Sequence, residues 1–188
     1  DTTYLCTAET DGYAVSLIQS NAAGFGCWLA EPHTQINLHN RGLGFSLEPG
    51  HPAVFGPGRR PPHTLSPALA TRDSEFVSVF GTMGGDAQPQ ILLQIAARLF
   101  QHQQSPTEAI HAARWALAGP TSGFDTWDDM SQQQVLLEGH SPSTWRERLT
   151  ARGHRIRVQP EWDSTFGHAH AIVRGEHGLA GAADPRAR

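Results

Sequence analysis

Lysine is missing from this 188-residue chain: all 14 of its basic residues are arginine. That excludes a P-loop lysine, a Schiff-base lysine and a Ser-Lys dyad. Cysteine is scarce as well. Cys6 and Cys27 are too few for a four-thiolate zinc or iron–sulfur site and too far apart for a CxxC redox motif, and they are expected to be free thiols. Positive charge is not in excess: the formal net charge is −4 and the pI about 6.2, so the basic footprint of a nucleic-acid or anionic-membrane binder is lacking. No apolar run approaches the ~18 residues of a membrane span, and no signal peptide, repeat or low-complexity tract is visible. The first residue is Asp rather than Met, and a strand-like pattern begins almost at once. The sequence therefore reads as part of a longer translation product.

Turn formers, by contrast, are plentiful, with 19 glycines and 13 prolines against a usual combined share of ~12%. Thr3 to Ala8 and Tyr13 to Ser20 are β-prone runs joined at Asp11-Gly12, which predicts a hairpin. Asn21 to Pro62 reads as a long ordered loop region with one short strand around Gln35 to Leu38. Pro67 to Thr71 and Glu75 to Gly81 form a second strand pair about a turn at Arg72 to Ser74. The glycine-rich Gly81 to Asp86 follows, then a helix whose Ile91, Leu92, Ile95 and Leu99 keep a three-to-four spacing, with Asp86 as N-cap and Pro89 in the first turn. Thr107 to Trp115 and Pro142 to Arg152 are further helix candidates. Arg155 to Val158, Phe166 to Val173 and Leu179 to Ala183 read as closing strands. Strands, then helices, then strands suits an α+β layered fold.

Several constellations carry chemistry. A threonine with a free α-amino group is a complete catalytic unit, because the amine takes the hydroxyl proton while Oγ attacks a carbonyl. Thr2 could serve in this way once the Asp1-Thr2 bond is cut; otherwise Thr2-Thr3 is simply a β-prone pair at a strand start. Gly84 and Gly85, between a buried strand and a helix start, could turn N–H groups toward an oxyanion, or could answer a packing need. Arg41 in a glycine-rich loop could clamp a carboxylate or stay solvated. His63 and Thr64, following Arg59-Arg60, offer an imidazole and a hydroxyl, or form a polar turn. His168 and His170 would share one strand face as two metal ligands could, but no Asp, Glu or Cys stands at a matching spacing. Gly44-Phe45-Ser46-Leu47-Glu48 lacks the closing glycine of a GxSxG nucleophile elbow.

In their order, these pieces resemble the small, catalytic subunit of the γ-glutamyltransferase family of N-terminal nucleophile (Ntn) hydrolases. The resemblance runs through Thr2-Thr3, Asp11 to Ser16, Gly24-Phe25-Gly26, Asn40-Arg41 with Phe45-Ser46, and Arg60-Pro61 with Ser66-Pro67. It continues through Gly81 to Gly85, Glu108-Ala109 with Arg114, and Ala183 to Arg186. It implies that residues 1–188 are the small-subunit half of an αββα sandwich. It also implies a precursor that cleaves itself before Thr2, leaving Asp1 as the last residue of an upstream large subunit. That large subunit would be the partner, a small-molecule amide or peptide the substrate, and no cofactor, metal, nucleic acid or membrane would be needed.

By the same resemblance Thr2 is the nucleophile, with its freed amine as base, and Ser20 is the supporting hydroxyl in place of the more usual Thr. Gly84 and Gly85 are the oxyanion pair. His63 and Thr64 fall where typical members have two serines on the glutamyl carboxylate, and Arg41 is a further substrate contact. Two departures stand out: Gly44 replaces an Asp that binds the substrate ammonium, and Ala22 replaces an Asn near the nucleophile. The acyl group therefore need not be γ-glutamyl, and cleavage of γ-glutamyl or related acyl amides through an acyl-enzyme on Thr2 is expected, as the family also holds acylases. The alternatives are a catalytically silent member kept as a binding module, and a metal-dependent hydrolase built on His168 and His170. Any export signal would lie upstream of Asp1; without one, a cytoplasmic location is the default expectation.

Overall fold

A computed structural model of the chain describes residues 2–119 and 130–187. Asp1, on one side of the expected cleavage point, lies outside the described residues. Strands β1 (Thr2–Ala8) and β2 (Ala14–Ser20) form the expected hairpin, in a register that sets Thr2 opposite Ser20 and Ala8 opposite Ala14. Gly12, at φ 105°, supplies the left-handed turn position that Asp11-Gly12 predicts.

A four-stranded antiparallel sheet is built from β3 (Ala68–Arg72), β4 (Glu75–Thr82), β8 (Ala169–Gly175) and β9 (Gly178–Ala183), ordered β3-β4-β8-β9. On one face it carries α1 (Gln88–Ala96) and α2 (Pro106–His111), with Phe80, Ala169 and Ala171 meeting Ile91, Leu92, Ile95, Leu99 and Ile110 in the core. The hairpin lies on the opposite face, against β4 and β8. There the ring of Tyr4 occupies the space that a Cβ at Gly81 would need and stacks 6.2 Å from His170. Arg174 of β8 donates to the Thr10 carbonyl at 3.1 Å and ties down the hairpin turn. The order helix, sheet, hairpin is the layering of an α+β chain supplying one side of an αββα sandwich. A smaller sheet, β5 (Trp115–Ala118), β6 (Gln134–Glu138) and β7 (Ile156–Gln159), stands beside it with α3 (Ser143–Ala151).

Most elements agree with expectation to within a few residues, and the loop region is irregular as predicted. Four details differ. The helix expected over Thr107 to Trp115 stops at His111, and Trp115 begins β5. A Ser105–Glu108 capping box fixes its start, while Arg114 turns inward to buried carboxylates and draws the chain out of the helix. Strand β6 was not anticipated, because Val135-Leu136-Leu137 is too short an apolar run to show a period. Asp86 does not cap α1: a 3₁₀ turn over Gly85–Ala87 comes first, and the N-cap is Ala87, without a side-chain bond. Around Gln35 to Leu38 there is only an isolated bridge, Ala30 to Asn37. Cys6 and Cys27 are both free thiols. No helix among the described residues is long and apolar enough to cross a membrane.

Candidate active site

The end of β1, the turn after β4 and the loop region converge on a cleft of about 630 Å³. Thr2 and Ser20 lie at its floor. As the last cross-strand pair of the hairpin their side chains share a face, and Thr2 Oγ1 and Ser20 Oγ are 2.8 Å apart. Ser20 Oγ also accepts from the Ala22 N–H at 3.1 Å, which orients it while leaving its hydroxyl proton for Thr2. That contact needs Ala22 at φ 74°, a left-handed conformation uncommon for any residue but glycine.

Gly84 and Gly85 border the same cleft. Their φ values of 137° and 54° demand glycine for conformation rather than room, because a Cβ would meet nothing closer than 3.5 Å at the first and nothing at the second. The leading N–H groups of a helical turn lack intrahelical partners, and here that end opens on the cleft beside Thr2. Asp86 follows at once and also lines the cleft; burial raises its carboxyl above the ordinary range.

Of the residues expected to contact substrate, the structure brings Arg41 and Thr64 to the cleft but not His63, which is exposed and accepts from the Leu65 N–H at 3.2 Å. Arg41 starts a 3₁₀ turn, Arg41–Gly44, held by its neighbour. The Asn40 side chain accepts from Ala23 N–H at 2.9 Å and donates to the carbonyls of Ala23 and Gly26. Gln88, fully buried, was not singled out from sequence; its Oε1 accepts from Ser66 N–H at 3.3 Å and ties the Thr64 segment to α1. Also unforeseen are Ala116 to Gly119 of β5 and its end, Leu136, and the pair Ser164-Thr165 on the far wall. The alternation Trp-Ala-Leu-Ala was the available signal for β5. Gly44 is buried and not part of the cleft wall.

Behind that wall lies a buried ionic cluster. Arg186 Nε and Nη2 form a fork on Glu138, Arg186 Nη1 meets Asp184 at 3.0 Å, and Arg114 Nη1 meets Asp184 at 2.7 Å. Arg114 also donates to the carbonyls of Phe166 and Ile110, anchoring the turn that presents Ser164 and Thr165. Burial, with Arg186 nearby, lowers the Arg114 pKa to about 10, which leaves it charged at neutral pH. Burial works to raise Asp184, but Arg114 and the N–H groups of Ala169 and Arg186 outweigh it and hold this carboxyl below its usual range.

This ordered set, from Thr2 to Arg186, matches along its whole length a family model described as gamma-glutamyltranspeptidase, over residues 1–188. The chain belongs to the gamma-glutamyltranspeptidase family. Among family relatives, the oxamate amidohydrolase proenzyme of Klebsiella pneumoniae is 38% identical over 187 residues, 99% of this chain and 34% of that protein. The glutathione hydrolase-like YwrD proenzyme of Bacillus subtilis is 35% identical, again over 99% of this chain and 34% of the relative. The crystal structure of cephalosporin acylase from Bacillus halodurans superposes with a TM-score of 0.81 at 36% identity, covering 97% of this chain and 32% of that one. The chain thus spans about a third of the length of these relatives. His170 lies beneath the hairpin against Tyr4, with His168 just before β8, and among the described residues no group of three or more His, Cys, Asp or Glu could hold a metal ion.

Proposed function

We propose that this chain is the nucleophile-bearing half of an amide hydrolase or acyltransferase, released when a precursor splits between Asp1 and Thr2. The observation that carries this reading is the Thr2–Ser20 hydroxyl pair, 2.8 Å apart, facing the Gly84–Gly85 turn across one cleft. Thr2 Oγ1 attacks the amide carbonyl while its own freed amine takes the hydroxyl proton, and Ser20 donates to the nucleophile oxygen. N–H groups of Gly84 and Gly85 hold the oxyanion, a contribution of roughly 3 kcal/mol for each well-placed donor. The amine then passes its proton to the leaving nitrogen, and water or an amine acceptor opens the ester on Thr2.

Arg41 and Thr64, which line the cleft, suit a carboxylate on the acyl part, whereas His63 lies outside its lining. Gly44, in place of the family's Asp, offers no counter-charge to a γ-glutamyl ammonium at that position. The relatives are named for oxamate, glutathione and cephalosporin chemistry, which supports an acyl specificity that varies on a common nucleophile. The upstream large subunit remains the proposed partner. Leu5, Val15 and Leu17, 42–49% exposed on the outer hairpin face, form an apolar surface for it.

Expressed with its upstream half, the protein should yield a chain whose intact mass begins at Thr2, and Thr2→Ala should abolish both splitting and amide turnover. An unsplit protein with full activity would overturn the reading. A wild-type protein that neither splits nor turns over any amide would favour the silent binding module.

A further inference from the structure

The cleft holds two charged side chains among its described lining residues, Arg41 and Asp86. No hydrogen bond or ion pair joins either side chain to the other or to any described residue, although Arg41 uses its backbone N–H on His39. A half-buried carboxylate without a partner among the described residues is a cost to the fold, and burial raises its pKa. Such a group in a cleft is arranged for a ligand rather than for stability.

We propose that Asp86 is a specificity-determining residue that accepts hydrogen bonds from the –NH2 of a primary amide whose far end carries a carboxylate. The proposal deepens the amide-hydrolase reading above and rests on it. The carbonyl oxygen and nitrogen of an amide share one carbon. Asp86 follows the Gly84–Gly85 turn and lines the same cleft as Thr2, so an amide whose oxygen rests on that turn holds its nitrogen in the cleft that this carboxylate borders. A carboxylate accepts from both hydrogens of –NH2, whereas a substituted amide offers one N–H and pushes its substituent at the same oxygen atoms. Asp86 also repels a carboxylate placed at that end, so a short amide-acid enters with its acid toward the Arg41 fork.

In the step itself the Thr2 Oγ–carbon bond forms and the carbon–nitrogen bond breaks. The hydroxyl proton travels through the Thr2 amine to the nitrogen, which leaves as ammonia. Asp86 accepts hydrogen bonds throughout and exchanges no proton. The family's Asp, replaced here by Gly44, reads an ammonium on the acyl part; Asp86 instead reads the nitrogen that leaves.

The test uses the processed two-chain protein. Ammonia release from succinamate and glutaramate is compared with p-nitroaniline release from the succinyl and glutaryl anilides. Asp86→Ala should lower the ratio of kcat/KM for monoamides over anilides on the order of ten-fold or more, and Asp86→Asn, which keeps one acceptor oxygen, by less. Intact mass reports whether each variant has split at Thr2 and so built its site. Equal losses on both substrate classes, or an unchanged ratio in both variants, would overturn the role of Asp86 while leaving the Thr2 reading standing. A wild-type enzyme that turns over no amide of either kind overturns both.

Discussion

A single backbone torsion illustrates how the cleft floor is made. Ala22 sits at φ 74°, where its Cβ crowds the backbone, so that its N–H can reach Ser20 Oγ and Ser20 in turn can face Thr2. Strain of this kind costs an alanine about 1 kcal/mol relative to glycine. Ala22→Gly should therefore raise stability by up to about 1 kcal/mol in a denaturant titration, with the same N–H bond available; a loss of stability would show that the conformation is unstrained. At this scale much was legible in the sequence. Asp11-Gly12 fixes the turn, the turn fixes the register, and the register sets residue 2 against residue 20. What was not legible is Asp86, which reads as an ordinary helix cap until the two glycines before it are seen to open a separate turn.

Among the elements, the hairpin and the sheet beneath it depend on one close contact. Tyr4 lies where Gly81 has no side chain and stacks on His170, so β1 is pressed onto β4 and β8. Burial holds the His170 imidazole pKa below its usual value, Asp184 partly opposing and His168 adding to the effect. A base with a lowered folded pKa binds its proton more readily when unfolded. Its contribution is therefore complete above the unfolded value of about 6.5 and is lost as pH falls from there through the lowered folded value. Thermal stability should decline over that window, and His170→Gln should flatten the slope; an unchanged slope would assign the decline to other groups. The strands and helices around this contact were readable because each has a clear period or a strong turn. Of the small sheet only β7 was readable: β5 follows a helix by three residues, and Val135 to Leu137 shows no alternation. Both are strands because Trp115 pairs with Leu137 and β6 pairs with β7, which are long-range facts.

On the scale of the whole molecule, the buried cluster of Arg114, Glu138, Asp184 and Arg186 joins the chain's end to α2, to β5 and β6, and to the turn carrying Ser164 and Thr165. The sequence shows these residues only as separate motifs with no reason to meet. Removing one member leaves its partner charged and buried, a loss of roughly 3–5 kcal/mol. Asp184→Asn should lower the melting temperature by on the order of 10 °C at neutral pH. Because the Asp184 pKa is lowered in the fold, the difference from wild type should be complete above the ordinary carboxylate value of about 4 and shrink as pH falls from there through the lowered folded value. A difference that already vanishes near pH 5 would contradict this.

The hairpin that carries Thr2 has only two strands, and among the described residues no other strand is hydrogen-bonded along its edges. A ribbon of that size is marginal by itself. Ordering of Thr2 and occupation of those edges are therefore linked equilibria, so whatever strand lies alongside adds its association free energy to the order of Thr2. The order of the ribbon's first residue is in that sense a property of assembly, gained and lost with the company the ribbon keeps.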